Sequence, residues 1–211
     1  MIILFDLDGT LIDSTPAILE SFDEAFQSFN NKTPSDDEIK SLIGLPLDIM
    51  FENLGVDAKY VTKYVDAYKK HYRPISKQKT SLLPNAQKAI KEASKIATLG
   101  IVTTKTSQYS KELMEHFGVM KYFEVLIGRD DVQNPKPHPE PILKALKQLN
   151  KSSDKIYMIG DTCLDSISAK NANINSIGVL SGYGKEADLI KCSDIVLKDS
   201  LEAISHIKNT I

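Results

Sequence analysis

Short apolar runs alternate with amphipathic helical segments along most of this chain, and this alternation limits the fold more than any other feature. Six runs, bounded by polar residues or glycine, have the length of buried strands: Met1–Phe5, Ile96–Val102, Phe123–Ile127, Lys155–Ile159, Ile174–Val179 and Ile195–Leu197. Helical spacing of apolar residues is found in Asn85–Ser94, Ser107–Phe117, Pro139–Leu149 and Cys163–Ala172. Strands that alternate with helices in this way form a mostly parallel sheet with helices on both faces. The sequence therefore predicts an α/β fold with a Rossmann-like sheet core.

The stretch from about Ser14 to Thr80 interrupts this alternation. The segment contains no convincing strand, and its apolar residues repeat at helical spacing in three places, which Gly44, Pro46 and Gly55 separate. The repeating residues are Ile18, Phe22, Ala25, Phe26 and Phe29, then Ile39, Leu42 and Ile43, then Val61, Val65, Tyr68 and Tyr72. A stripe of four tyrosines, Tyr60, Tyr64, Tyr68 and Tyr72, is expected to pack these helices together. We therefore predict an all-helical cap over 14–82, inserted into an α/β core formed by 1–13 and 83–211.

The charge balance argues against several classes of partner. Of the 211 residues, 26 are basic and 28 are acidic, so the formal net charge is −2. Proteins that bind nucleic acid need a basic surface, which this composition does not indicate. The apolar run at the N-terminus follows no basic segment and is too short for a signal peptide or a membrane span. We expect a cytoplasmic monomer or homodimer that binds neither nucleic acid nor membrane.

The two cysteines show no pattern that indicates a metal site or a disulfide. Cys163 and Cys192 lie in unlike surroundings, and their spacing is not that of metal ligands. Thiols of cytoplasmic proteins are kept reduced. We therefore expect both cysteines to be free thiols.

Polar residues collect after four of the predicted strands, either directly or after a short loop. They are Asp6 and Asp8, then Thr103, Thr104 and Lys105, then Lys136, then Asp161 and Asp165. Ligands of open α/β sheets bind at the carboxyl ends of the strands. Four carboxylates gathered there would repel one another, and a hard divalent cation together with Lys136 would relieve the repulsion. Lys136 lies between two prolines, which should make it stiff. This set of residues suits phosphate chemistry, whereas Lys105 is expected to face solvent.

The same residues resemble the motifs of a known family. The run from Asp6 to Ser14 resembles the first motif of the haloacid dehalogenase superfamily, and Thr103 and Lys136 resemble the second and third. The run from Gly160 to Asp165 resembles the fourth motif. All four occur in the expected order, with the predicted cap after the first, so the resemblance covers essentially the whole chain.

The resemblance implies a role for each aspartate of the first motif. Asp6 would be the nucleophile and form an aspartyl-phosphate. Asp8 would be the general acid for the leaving oxygen and then the general base for the hydrolytic water. Dehalogenases of the superfamily lack this second aspartate, so Asp8 favours cleavage of a phosphate ester over cleavage of a carbon–halogen bond.

The resemblance also implies a phosphate site and a Mg²⁺ site. The phosphate-binding residues would be Gly9, Thr10, Thr103, Thr104 and Lys136. The metal ligands would be Asp6, the backbone carbonyl of Asp8, Asp161 and Asp165, the last either directly or through a water molecule. A helix N-cap is the structural alternative for Asp161 and Asp165.

The expected activity is hydrolysis of a small phosphorylated metabolite, similar to that of phosphoglycolate phosphatase. The turn from Gly44 to Leu47 resembles the cap loop that points into the site of such enzymes, although it carries no cationic residue for a substrate carboxylate. Pyrophosphate, nucleotides and sugar phosphates stay open as substrates. Two other activities stay open: a phosphosugar mutase similar to β-phosphoglucomutase, and a module that binds phosphate without catalysis.

Overall fold

A computed structural model describes residues 1–210 of the chain. These residues form two compact units. One unit comprises Met1–Ile12 and the chain from Leu82 onward, and the other comprises Asp13–Ser81. The first unit is an α/β unit and the second is helical.

The strands form two sheets. In chain order the strands are β1 Ile2–Phe5, β2 Ile12–Asp13, β3 Ser81–Leu82, β4 Thr98–Val102, β5 Phe123–Ile127, β6 Ile156–Gly160, β7 Asn175–Val179 and β8 Ile195–Leu197. Six of them form one sheet in the order β5-β4-β1-β6-β7-β8, and every neighbouring pair is parallel. The short strands β2 and β3 pair with each other. The predicted α/β fold with a mostly parallel sheet is confirmed.

Residues 1–210 contain ten α-helices. In chain order they are α1 Thr15–Gln27, α2 Asp36–Lys40, α3 Leu47–Asn53, α4 Ala58–Ile75, α5 Ala86–Ala93, α6 Ser107–His116, α7 Glu140–Leu149, α8 Cys163–Asn171, α9 Glu186–Cys192 and α10 Ser200–Asn209. None of these helices, within residues 1–210, has both the length and the apolar character needed to cross a bilayer.

Helices cover the large sheet on both faces. Successive side chains of a strand point to opposite faces, so a buried strand contributes apolar side chains to both. On β1, Ile3 and Phe5 belong to one apolar cluster, which helices α5, α6 and α10 complete. Ile2 and Leu4 belong to a second cluster, to which α7 contributes. With both faces covered, the strand ends are where polar side chains can reach a ligand.

An aromatic core holds the helical unit together. The rings of Phe22 and Phe51 lie 4.7 Å apart, and those of Phe22 and Tyr68 lie 5.1 Å apart. Three tyrosines of the predicted stripe, Tyr64, Tyr68 and Tyr72, are buried in this unit, whereas Tyr60 is 46% exposed. Tertiary packing of these rings stabilises α1, α3 and α4 far more than helix propensity can.

Candidate active site

The candidate nucleophile lies at the end of the central strand β1. The backbone N–H of Asp6 donates to the Ile159 carbonyl of neighbouring β6 at 2.9 Å, and its side chain is 4% exposed. The chain then turns at Gly9, whose φ of +77° is strained for other residues. A side chain at Gly9 would also collide with the carboxylate of Asp161. Glycine at this position therefore allows the first and fourth motifs to approach each other.

Lys136 lies against the nucleophile. Its ammonium nitrogen is 3.1 Å from Asp6 Oδ1, 2.5 Å from Asp165 Oδ1, and donates to the Val102 carbonyl at 3.1 Å. The Lys136 side chain is only 1% exposed. Two hydrogen bonds and the ion pair with Asp6 hold the position of this charge.

The two aspartates of the fourth motif have different partners. Asp161 Oδ1 accepts a hydrogen bond from the Thr10 hydroxyl at 3.2 Å, and Asp161 Oδ2 accepts one from the backbone N–H of Tyr183 at 2.8 Å. Asp165 Oδ2 accepts from the Thr162 hydroxyl and backbone N–H, which caps α8, while Asp165 Oδ1 contacts Lys136. Asp165 is thus the third residue of a capping box whose N-cap is Thr162, and it also belongs to the charged cluster.

The burial of these acids beside a single lysine shifts the pKa values of the charged groups in the cluster. Burial raises the pKa of Asp6 to about 6, the nearby Lys136 opposes the rise, and the charge of Asp165 adds to it. Burial, with the charges of Asp165 and Asp6, raises the pKa of Asp161 well above its usual range. Burial by itself lowers the pKa of Lys136, but the charges of Asp165 and Asp6 raise it above its ordinary value. A single ammonium therefore does not balance the three acids.

These three acids fit a divalent cation. One oxygen from each of Asp6, Asp161 and Asp165 lies within 4.8 Å of the others, and all three residues are buried. Asp6 Oδ1 accepts no well-aligned hydrogen bond, although the Lys136 ammonium is close to it. Three carboxylates against one ammonium leave two excess negative charges, which a divalent ion with a preference for oxygen ligands would neutralise.

The remaining predicted phosphate ligands follow the strand ends. Thr10 is 1% exposed and Thr103 is 4% exposed. The Thr103 N–H donates to the Ile127 carbonyl of β5 at 2.9 Å, and the Thr103 hydroxyl accepts from the Lys105 N–H at 3.2 Å. Thr104 is half-buried in the same loop.

The expectation that Lys105 faces solvent was wrong. Its side chain is 10% exposed, and its ammonium nitrogen lies 3.1 Å from Asp8 Oδ2. The Asp8 side chain is itself only 14% exposed. Sequence reasoning missed this contact because Asp8 and Lys105 follow different strands, β1 and β4, which are neighbours only in the folded sheet.

A fifth loop at the site was also missed. After β7, the Ser181 hydroxyl donates to the Gly9 carbonyl at 2.8 Å, and the Tyr183 N–H binds Asp161. Side chains at Gly182 and Gly184 would collide with Asp161. The available signal was a glycine-rich run directly after a predicted strand.

The expectation of two free thiols was also wrong. Cys163 begins α8, Cys192 ends α9, and the structure joins them in a disulfide with Cα atoms 5.7 Å apart. The residues are 29 positions apart in sequence. Only the packing of α8 beside α9 brings them together, so neither spacing nor surroundings could indicate the pair.

Comparison with known proteins gives consistent matches. A family model described as haloacid dehalogenase-like hydrolase matches residues 3–179. Phosphoglycolate phosphatase of Colwellia psychrerythraea is 30% identical over 198 residues, which cover 89% of this chain and 88% of the relative. A Clostridium perfringens protein provisionally named pyrophosphatase PpaX is 32% identical over 178 residues, covering 84% of this chain and 82% of the relative. A solved haloacid dehalogenase-like family hydrolase from Streptococcus pneumoniae has a TM-score of 0.88 at 26% identity, covering 98% of this chain and 97% of that one.

Proposed function

Because this chain belongs to the haloacid dehalogenase-like hydrolase family, we propose that it is a magnesium-dependent phosphatase that hydrolyses a small phosphomonoester through an aspartyl-phosphate on Asp6. The observation that carries the proposal is the contact of the buried Lys136 ammonium with Asp6, 3.1 Å away, beside the acidic cluster of Asp6, Asp161 and Asp165. A module that only bound phosphate would not need a nucleophile, an acid and a cation site at one sheet edge.

In the proposed first step, an oxygen of Asp6 attacks phosphorus and the bond from phosphorus to the leaving oxygen breaks. Asp8 gives its proton to that oxygen, so the leaving oxygen departs as an uncharged hydroxyl group. The fixed Lys136 ammonium stabilises negative charge on the transferring phosphoryl group. Gly9, Thr10, Thr103 and Thr104 would bind the phosphoryl oxygens.

In the proposed second step, water attacks the phosphorus of the aspartyl-phosphate. Asp8, now a carboxylate, accepts a proton from that water, and the bond between phosphorus and Asp6 breaks. Inorganic phosphate leaves and Asp6 is regenerated. Each proton that Asp8 donates in the first step is thus recovered in the second.

Asp6, Asp161 and the Asp8 backbone carbonyl would hold Mg²⁺. When bound, the ion supplies charge neutralisation of the acids and of the phosphoryl oxygens. Both oxygens of Asp165 already have protein partners, which favours contact with the ion through water. A role of Asp165 in holding Lys136 is compatible with this arrangement.

The proposed substrate is phosphoglycolate or a similar small ester, supported by the relatives that carry that name. The relative provisionally named pyrophosphatase makes pyrophosphate the second candidate. We further propose that the enzyme acts in the cytoplasm and that the helical unit Asp13–Ser81 is a cap that excludes water and selects the substrate.

The test is a panel of phosphorylated metabolites assayed with Mg²⁺ for phosphate release, with wild type and Asp6→Asn side by side. We expect turnover of phosphoglycolate that a chelator abolishes, that Mg²⁺ restores, and that Ca²⁺ restores poorly because its looser shell disturbs the geometry. Removal of the nucleophile should lower kcat by at least about 10³-fold.

Asp188→Asn is the matched control, since Asp188 is an exposed aspartate on α9 whose side chain is 58% exposed. It should leave kcat unchanged. Near-normal kcat in Asp6→Asn, with an unchanged melting temperature, would refute the assigned nucleophile. Formation of an isomeric phosphosugar from a sugar phosphate and a bisphosphate activator would instead identify a mutase.

A further inference from the structure

We propose that Lys105 is a specificity-determining residue that binds an anionic group on the leaving part of the substrate. The enzyme would then prefer esters that release an alcohol bearing a carboxylate or a second phosphate over esters that release a neutral alcohol. This inference rests on the proposed function, because it takes Asp8 as the group that protonates the leaving oxygen.

The position of Lys105 follows from its contact with Asp8. The ammonium nitrogen is 3.1 Å from Asp8 Oδ2, and both side chains are largely buried, at 10% and 14% exposure. A general acid must lie within hydrogen-bond distance of the oxygen that it protonates. The Lys105 ammonium is therefore within a few ångströms of the leaving group as well.

The loop that carries Lys105 is held by its neighbours. The Lys105 N–H donates to the Thr103 hydroxyl at 3.2 Å, and the Lys105 carbonyl accepts from the Arg129 N–H at 3.0 Å. A side chain at Gly128 would collide with the Lys105 carbonyl and the Ser107 N–H. The backbone of Lys105 is thus packed against the loop after β5, so the side chain extends from a fixed base.

The two lysines of the site have separate positions. Lys136 contacts Asp6, Asp165 and the Val102 carbonyl, so its ammonium faces the nucleophile. Lys105 contacts Asp8, the group on the other side of the bond that breaks. One cation is therefore placed for the transferring phosphoryl group and the other for the departing group.

A partly buried cation attracts an anion more strongly than an exposed one does, because water screens it less. An anionic leaving group would gain this attraction in both the ground state and the transition state, so the effect should appear mainly in KM. A neutral leaving group would gain little from the same charge.

The experiment compares 2-phosphoglycolate, which releases an anionic alcohol, with 2-hydroxyethyl phosphate, which releases a neutral alcohol of similar size. Kinetics would be measured for wild type, Lys105→Met, Lys105→Arg and the control Lys111→Met, whose lysine on α6 is 63% exposed. Wild type should favour phosphoglycolate by at least about tenfold in kcat/KM. This factor corresponds to the free energy that one hydrogen bond to a charged group usually contributes.

Lys105→Met should lower kcat/KM for phosphoglycolate by about 10- to 100-fold and for hydroxyethyl phosphate by less than about threefold. Lys105→Arg should recover most of the preference, because it keeps the charge, and Lys111→Met should behave like wild type. Equal losses on both esters in Lys105→Met would overturn the inference, since Lys105 would then only position Asp8. Absence of any preference in wild type would overturn it too.

A binding assay separates this inference from the proposed function. Equilibrium dissociation constants of both esters would be measured with Asp6→Asn, in the presence and absence of the Lys105→Met change. If the proposed function fails, wild type turns over neither ester, yet tighter binding of phosphoglycolate through Lys105 would still support the inference. If only the inference fails, turnover persists and binding of phosphoglycolate does not depend on Lys105. Melting temperatures of all variants verify that the proteins are folded.

Discussion

At the residue scale, the site combines several acids with too few cations. Asp6, Asp161 and Asp165 are buried together and face one fully buried lysine, Lys136. Buried charges without partners cost several kcal/mol each, so a group in this position tends to bind a proton or a cation instead. Without a bound cation, this cluster should therefore lower the stability of the folded protein.

The raised pKa of Asp6 in this cluster predicts how the stability of the folded protein depends on pH. The pKa of Asp6 is raised to about 6, above the ordinary 3.8 that it regains on unfolding. Between these values the folded state binds more protons, so its stability decreases as pH rises, by an amount on the order of 3 kcal/mol for Asp6. In chelator, Asp6→Asn should become progressively more stable than wild type as the pH rises from 5 to 7.

The measurement is urea unfolding of both proteins at several pH values, with chelator and then with Mg²⁺. The ion should stabilise wild type more at pH 7 than at pH 5, since at pH 5 protons compete for the same oxygens. A difference between wild type and Asp6→Asn that stays constant with pH would contradict the raised pKa.

At the element scale, the start of α8 organises the site. Asp161 lies two residues before the first residue of this helix, and Asp165 both completes the capping box with Thr162 and contacts Lys136. The disulfide from Cys163 then connects the first residue of α8 to the last residue of α9. The loop before α9 supplies the Tyr183 N–H that binds Asp161, so the crosslink joins the helix that follows Asp161 to the helix that follows Tyr183.

We predict that this crosslink stabilises the fold and the metal site. For two cysteines 29 residues apart, loss of the bond should reduce the free energy of unfolding by about 3 to 4 kcal/mol if chain entropy dominates. Cys192→Ser, or a reducing agent, should produce this loss and weaken Mg²⁺ binding. Urea unfolding and calorimetric titration of Mg²⁺ measure the two effects.

Ser205→Ala is the control, since Ser205 is an exposed serine on α10 that forms no crosslink. A thiol assay that finds two free thiols in protein purified without reductant would contradict the bond. Trapping of thiols in intact cells also bears on the proposed cytoplasmic location, because cytoplasmic disulfides are rare and usually transient.

At the scale of the whole molecule, the helical unit is an insertion with adjacent ends. The connecting strands β2 and β3 pair with each other, so the chain leaves the α/β unit and re-enters it side by side. The α/β unit has its own apolar clusters on both faces of its sheet. A unit with its own core and adjacent insertion points can tolerate removal of the insert.

We predict that a protein in which residues 14–80 are replaced by a short Gly-Ser linker folds. It should unfold cooperatively and bind Mg²⁺, but kcat/KM for the substrate should fall by at least about 100-fold, because the proposed cap no longer excludes water or positions the ester. Circular dichroism melting, calorimetric titration and phosphate release are the measurements. Full activity of this protein would refute a cap role for the helical unit.

Much of the fold and of the candidate site could be predicted from local sequence patterns. The parallel sheet was predictable because strand length, apolar runs and helical periodicity are short-range patterns, and β1 and β5 were located to within a residue or two. Asp6, Thr103, Lys136 and Asp161 were selected because each follows a strand, and parallel strands bring their carboxyl ends to one edge. The family resemblance assigned their roles, which stay proposals.

Other features depended on the tertiary structure. The contact of Lys105 with Asp8, the pairing of Cys163 with Cys192, and the glycine-rich loop that binds Asp161 all join segments that are distant in sequence. No periodicity records such contacts, because they depend on which strands become neighbours and on the direction in which each loop leaves the sheet. The sequence alone thus determined which chemical groups reach the sheet edge, whereas packing decided which of them touch.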